Sequence, residues 1–391
     1  MDITLTKEAD SLRSTALAFA QRALTHDQIR ALEGTDRGFE PSVWRDMATM
    51  GWSGCVFPFE LGGSGLGLFE LALIVEACGQ AALPSPLFAT VVEAGMLLLE
   101  SGVDRHRAEW VPRIATGDAI LTTAVFEPGN AEVETVETTA APVPGGYRID
   151  GAKTFVRDAG SARAIVTLAR SAQSPDGLVF LLVPSNARGV RRQRLACSGG
   201  EALWEVTFSD VSLPATVLVT EPGQALAALD RLLARGACLK AAELVGIGQA
   251  ALDLTVAYAK TRVQFDRPLG SFQAVQHHCA TMYRDLRVSR LLMWEAAARL
   301  AAGQPAKREV AMAKAKASDA IPALTRTAHQ IHGAIAYYRD YPLELHYTRA
   351  IAAAAAYGNA TYHRRTLAQR LAHDLDTFRG DTHHGLPVHQ G

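Results

Sequence analysis

AYAKTRVQFDRPLGSFQAVQHHCATMY, residues Ala257–Tyr283, reads as the end of one helix, a short charged turn and the start of the next helix. Pro268 and Gly270 break the helical pattern, and Ser271 stands where an N-cap would open the second helix. Beyond it Val275, Cys279, Met282, Leu286 and Met293 recur at helical spacing, which predicts one buried face. The turn holds Arg262 and Arg267, with Gln264 and Gln273 beside them. An arginine at a helix junction offers a fork suited to phosphate oxygens. On spacing alone, a pair of solvated arginines on a connecting loop is the plainer account.

Working outward, the chain has 391 residues, 48% of them hydrophobic, enough for a sizeable core in two or three structural regions. Its 39 basic and 40 acidic side chains leave a net charge of -1, which gives no footprint for nucleic acid or an acidic membrane. Five scattered cysteines (Cys55, Cys78, Cys197, Cys238, Cys279) contain no CxxC pair and predict buried free thiols in a reducing compartment. MDITLTKEADSL at the N-terminus lacks the apolar core of a signal peptide, and no apolar run reaches membrane-spanning length. The expectation is a soluble cytoplasmic protein. Heavy use of alanine and arginine suggests a bacterial source.

Residues 1 to 120 read as helical, with Leu12, Leu17, Phe19, Leu24 and Ile29 in one amphipathic pattern and Leu71 to Leu99 in a second. The glycine-rich run from Pro58 to Gly67 follows no convincing strand and lacks the Lys-Ser/Thr of a P-loop, so it is a tight connection. Residues 121 to 222 turn rich in Val, Thr, Phe and Leu, with turn signals at Pro144-Gly145-Gly146 and Ser174 to Gly177. Runs such as Ala164 to Leu168 and Leu178 to Val183 fit strands of a buried sheet. Residues 223 to 373 are helical again, in four long patterns over 225–261, 271–302, 306–332 and 343–373, enough for an antiparallel bundle. Pro322 should kink or split the third. A polar tail, 374–391, follows; its His383-His384 lacks convincing ligand spacing, and no metal site is expected.

The run Arg262-x-Gln264-Phe265-x-x-Pro268-Leu269-x-x-Phe272-Gln273-x-x-Gln276 resembles the signature of the acyl-CoA dehydrogenase family, and the order helices, β domain, helices matches that family over nearly the whole chain. The resemblance implies a mainly α fold with an inserted β domain: an N-terminal helical domain, a β-barrel-like middle domain and a C-terminal four-helix bundle. It implies FAD as cofactor, with Arg262 reaching the pyrophosphate of a flavin held mainly by a neighbouring subunit, and Gln264 and Phe265 close by. Gln330-Ile331-His332-Gly333 resembles the turn that lets backbone approach the adenosine diphosphate half of a partner's flavin. Thr123 and Phe126 fall on the first flavin strand of the family, Phe155 and Val156 on the second, and ordinary sheet core explains Val156 as well. The pattern departs from the family at Asp266, Ala334 and Ala336, each adding a side chain where the family keeps backbone bare. Arg157 likewise replaces a small hydroxyl residue.

The family's chemistry removes an α-proton with a desolvated carboxylate while a hydride leaves the β-carbon for the flavin. Of the two usual positions for that base, one falls here on Gly358 and the other on Gly236. Glu243, seven residues beyond Gly236 on the same helix face, is the candidate replacement; a carboxylate paired within the bundle is the plainer account of it. Arg188 to Arg194 would reach a nucleotide phosphate of CoA, or simply form a solvated loop. Three functions follow from the resemblance. One is flavin-dependent α,β-dehydrogenation of an acyl-CoA or acyl-carrier thioester with a non-standard base, passing electrons to an electron-transfer flavoprotein from a homodimer or homotetramer. Another is the supporting subunit of a heteromeric dehydrogenase, a heterotetramer with a second chain of the family. The last is a repurposed, flavin-free acyl-thioester enzyme.

Overall fold

The computed structural model describes residues 5–129 and 135–381, with 373–381 by backbone alone. The first part comprises α1 (Lys7–Ala23), α2 (His26–Leu32), α3 (Pro41–Thr49), α4 (Leu68–Gln80), α5 (Met96–Glu100) and α6 (Asp104–Ala115). Thr6 and Thr25 cap α1 and α2 through their hydroxyls, the second as a reciprocal capping box with Gln28. A π-helical segment, Phe88–Gly95, runs into α5. Single π-turns inside helices concentrate at functional sites. The apolar run from Leu71 to Leu99 thus folds as α4, a short connection and this widened turn.

The middle part is a seven-stranded sheet of β1 (Leu121–Ala124), β2 (Thr139–Val143), β3 (Gly146–Arg157), β4 (Ala164–Arg170), β5 (Leu178–Pro184), β6 (Val190–Arg194) and β7 (Leu203–Pro214). The order is β1-β4-β2-β3-β7-β6, with β5 also paired to β4. Both expected turns are there, between β2 and β3 and between β4 and β5. The long β3–β7 pairing slips register between Lys153 and Val156. Such a bulge bends the strand and re-aims side chains. It throws Phe155 into the left-handed region (φ 54°) and out to solvent, while Val156 enters the sheet core and Arg157 turns toward the helices.

The last part holds α7 (Ala225–Thr261), the two-residue strands β8 (Val263–Gln264) and β9 (Arg267–Pro268), then α8 (Gln273–Ala301), α9 (Lys307–His332), α10 (Pro342–Ala355) and α11 (Ala360–Asp381). Four expectations need correction. Ser271 does not cap α8: its hydroxyl donates to the Pro268 carbonyl (2.7 Å) and Phe272 stands at the N-cap. Pro322 does not split α9, which runs through it. The fourth helical pattern breaks into α10 and α11, because Tyr357 and Gly358 both adopt positive φ (54° and 86°). The helix then continues past Asp374 to Asp381, whereas His383-His384 lies outside the described residues. On α8 the predicted face holds, with Met282, Leu286 and Met293 buried and Val275 and Cys279 half-buried. All five cysteines are free; Cys55 and Cys238 are buried, but Cys197 is exposed. No helix among the described residues is long and apolar enough to cross a membrane.

The N-terminal helices meet the bundle where α4 crosses α7. A Cβ at Gly246 would lie 2.0 Å from the Glu76 carbonyl oxygen, and one at Gly79 would lie 2.5 Å from that of Glu243. Two helices come backbone to backbone here, and only glycine permits it. Beside the crossing, Arg290 Nε donates to Glu76 Oε1 (2.9 Å), a buried pair joining α4 to α8. Gly246→Ala should therefore destabilise the protein by about 1–3 kcal/mol, the range for an overpacked interior. Urea denaturation checks this, and a change inside the error of the titration would contradict the close crossing.

Candidate active site

The bulged end of β3 carries Arg157 into the junction of all three parts. Its Nη1 donates to Glu93 Oε1 (2.9 Å), on the π-helical turn, and its Nε donates to Glu201 Oε1 (3.1 Å), before β7. Lys240 of α7 donates through Nζ to Glu201 Oε1 and Glu243 Oε2, both at 2.6 Å. Thr123 of β1 donates to Glu93 Oε2 (2.8 Å), and the Tyr357 hydroxyl makes a short hydrogen bond to Glu93 Oε1. The Arg157 guanidinium lies 5.3 Å from the Tyr357 ring centre and 5.4 Å from that of Phe88. Phe126 meets Tyr357 edge-on at 6.0 Å.

Arg157, Glu93, Lys240 and Tyr357 are buried and Glu201 and Glu243 half-buried, so each charge depends on its partners. Burial alone would lower Arg157 and raise Glu201. The opposite charges win: Glu201, Tyr357 and Glu93 hold Arg157 above its ordinary range, while Arg157 and Lys240 hold Glu201 below the carboxylate range. Burial and the Glu93 charge push Tyr357 well up, so its hydroxyl stays a donor. Asp158 is also pushed well up, by burial and then by Glu201 and Glu93.

The break between α10 and α11 presents Tyr357 to this cluster. Lys314 Nζ donates to the carbonyls of Ala354 and Gly358 (2.9 Å each) and to Ser318 Oγ (2.8 Å); burial, with Lys240 nearby, brings its pKa down to about 7. His363 Nε2 donates to the Tyr357 carbonyl (2.9 Å). A Cβ at Gly236 would stand 2.3 Å from the Tyr357 ring. The ring thus occupies the ground that a side chain at position 236 would need, and both expected base positions, Gly358 and Gly236, flank it.

Tyr357 and Arg157 separate three spaces. An outer cavity of about 360 Å³ is lined by Leu233, Ala237, Val310, Tyr357, Asn359 and Arg365 among others. An inner cavity of about 90 Å³ is lined by Arg157, Lys240, Glu243 and Arg349. Thr123, Phe126, Phe155, Arg157, Tyr357 and Glu93 leave a crevice of about 10 Å³ between them. Thr123, Phe126 and Phe155 are therefore brought together, whereas Val156 packs in the sheet and Glu243 faces the inner cavity in an ion pair.

Arg262, Gln264, Phe265, Gln330 and Gly333 form a separate, exposed set. Tyr258 stacks on His332 at 4.4 Å and donates to its carbonyl, bringing the ends of α7 and α9 together. Arg262 has no ion pair among the described residues, and none links it to Asp266. Phe265 and Asp266 both adopt left-handed φ in the β8–β9 turn, and Phe265 is 85% exposed. Ala336 points into the core, leaving only Ala334 outside; a Cβ at Gly333 would meet open space. This face can receive an anionic diphosphate and a flat ring. Arg188 and Arg191 are exposed on and beside the edge strand β6, and neither lines the outer cavity.

Family models for the N-terminal, middle and C-terminal domains of acyl-CoA dehydrogenase match residues 6–118, 123–211 and 226–372. The chain belongs to the acyl-CoA dehydrogenase family. It is 30% identical to the probable acyl-CoA dehydrogenase YngJ of Bacillus subtilis, over 95% of this chain and all of that one. It is 28% identical to the acryloyl-CoA reductase (NADH) of Anaerotignum propionicum, over 95% of this chain and 96% of the relative. Its fold superposes on the ChsE4-ChsE5 complex of Mycobacterium tuberculosis with a TM-score of 0.86 and 28% identity, covering 95% of this chain and 99% of that chain. Oxidoreductases of this family act on CH-CH bonds of acyl-CoA and bind FAD.

Sequence reasoning singled out Glu243 and missed Glu93, Glu201 and Lys240. Glu93 did carry a signal: it is an acidic residue inside an apolar helical run, where a buried charge demands partners. Arg157→Met should cost about 3–5 kcal/mol, as does breaking a buried ion pair from one side; unchanged urea stability would refute the buried cluster. His363 supplies a pH test. Burial lowers its pKa from 6.5 to about 4, so between those values the unfolded chain binds more protons than the folded one. Stability should therefore fall as pH drops from about 6.5 toward 5, ahead of the carboxylates; buried His346, His106 and His332 add to the fall, and His363→Gln should lessen the slope by its own share. An equal slope in the variant would remove His363 from the account.

Proposed function

We propose that this chain is the supporting subunit of a heteromeric acyl-CoA dehydrogenase. It presents Arg262, Gln264, Phe265, Gln330 and Gly333 to a flavin held mainly by a second chain of the family, and that second chain carries the proton-abstracting carboxylate. The observation that carries this is the plug: Arg157, Tyr357 and Glu93 fill the passage between outer and inner cavities, beside two base positions that hold glycine. An acyl chain entering the outer cavity would stop at Tyr357. The crevice left among Thr123, Phe126, Phe155 and Arg157 is only about 10 Å³, which supports a flavin ring held mainly by the second chain.

The exposed face does fit the diphosphate side of a flavin brought by another subunit. FAD, where bound, supplies the hydride acceptor; this chain's part is to hold phosphate charge with Arg262 and to leave backbone bare at Gly333. Asp266 makes no ion pair with that arginine, and the Ala336 methyl is turned inward. Likeness to a chain of the ChsE4-ChsE5 complex gives the heteromeric assembly a precedent within the fold. Glu243 serves in this proposal as the second carboxylate on Lys240, not as a base.

One observation favours stand-alone dehydrogenation instead. Glu93 is a buried carboxylate between β1, β3 and Tyr357, and it would be the base if Arg157 swung aside. Visible absorption separates the two. Purified alone, this chain should carry well under one FAD per chain, and acyl-CoA should not bleach it. Co-expressed with a neighbouring family chain that has the usual glutamate, it should yield a yellow complex that acyl-CoA bleaches. Stoichiometric FAD and bleaching in the isolated chain would overturn the supporting role and send the search for the base to Glu93.

A further inference from the structure

Arg262 stands at the C-cap of α7 and Gly333 at the C-cap of α9. Two residues on different helices serve one diphosphate only if the helix ends keep a fixed spacing. His332, the last residue of α9, touches both ends. Its ring stacks on Tyr258 of α7, with 4.4 Å between centres and 24° between planes, and meets Tyr341, the N-cap of α10, at 5.4 Å. Tyr258 Oη donates to the His332 carbonyl (3.3 Å), and the Tyr258 carbonyl accepts from the Arg262 amide (2.8 Å). An unbroken path of contacts thus runs from Arg262 through Tyr258 and His332 to Gly333.

The two nitrogens of that ring stand in different surroundings. A carbonyl can only accept, so Nδ1 carries the proton that it donates to Ala328 (2.7 Å). Nε2 is then the bare nitrogen, buried and without a partner. Adding a proton there would bury a charge together with an N–H that has no acceptor in place, and both are costly.

No counter-ion waits for that charge. α7 presents Tyr258 and the Leu254 carbonyl, the turn before α10 presents Tyr341, and α9 itself presents His329, a second imidazole that repels the proton. His332 takes part in no ion pair among the described residues. Burial, with His329, holds its pKa below 6.5 against the pull of the Ala328 and Leu254 carbonyls.

We infer that His332 is the positioning residue of the cofactor face and an acid-released latch: the neutral ring docks the end of α9 on the end of α7, and a proton on Nε2 undocks it. The inference rests on the supporting role proposed above, because only in that role do Arg262 and Gly333 share a ligand. The proton comes from solvent and returns to it. A freed ring takes the proton near its ordinary value of about 6.5, so docking opposes protonation and weakens as pH falls below that value. One unit lower, the ratio of undocked to docked forms rises by about tenfold at most. Flavin retention then depends on pH through a ring buried beneath the face.

Two measurements test the latch separately from the supporting role. In the isolated full chain, hydrogen exchange over 257–265 and 329–335, corrected for its intrinsic pH dependence, should rise by up to about tenfold between pH of about 7.5 and about 5.5. His332→Phe keeps a ring against Tyr258 and should remove the rise, whereas His329→Phe should leave it. In the complex with the second chain, FAD loss on gel filtration should quicken over the same range, and His332→Phe should make it independent of pH. Should His332→Phe fail to fold by circular dichroism, His332→Gln, which keeps a donor for the Ala328 carbonyl and cannot titrate, takes its place. Corrected exchange that ignores pH, or that rises equally in a folded His332 variant, would overturn the latch. An isolated face that opens in acid while the complex keeps its FAD would uphold the latch and refute the supporting role.

Discussion

Burying a charge is tolerated only when its partners are buried with it. Lone ions lose several kcal/mol of solvation, and a low-dielectric interior returns it only through close, hydrogen-bonded pairing. Here Arg157 and Lys240 meet Glu93, Glu201 and Glu243 in one continuous array, closed by Thr123 and the Tyr357 hydroxyl. Its members come from the π-helical turn, the bulged strand β3, the segment before β7, α7 and the break between α10 and α11. The array is thus the joint at which the helical parts and the sheet register against each other. Removing one member strands the others.

The same joint shapes function. Catalysis by proton abstraction asks for a carboxylate poised near the working pH in an open site. The array does the reverse for Arg157 and Glu201, driving each further into its charged form. It also fills the passage between the outer and inner cavities. In the proposed supporting role the anion from outside the chain is met by Arg262, which has no ion pair among the described residues, by exposed Phe265 and by Gly333.

Much of this was legible in the residues. Periodicity found the long helices, because amphipathic spacing survives whatever the helix packs against. Composition found the sheet and its turns. The exposed face was legible through Arg262, Gln264, Phe265, Gln330 and Gly333, since a motif made of local chain geometry is written locally. The centre was not. Glu93, Arg157, Glu201, Lys240 and Tyr357 are far apart in sequence, and only the β3 bulge and the α10–α11 break bring them together. Ser271 misled because a hydroxyl at a helix start can serve the preceding turn instead. Gly358 looked like a lost base; with Tyr357 it is also the hinge that ends α10.

The most direct trial of the supporting role lies in the assembled complex. Arg262→Ala in this chain, paired with an unaltered second chain, should leave the complex intact on gel filtration while most of its FAD is lost to dialysis. Full flavin retention and undiminished acyl-CoA turnover in that complex would mean that the exposed face holds no cofactor, and the account would fail.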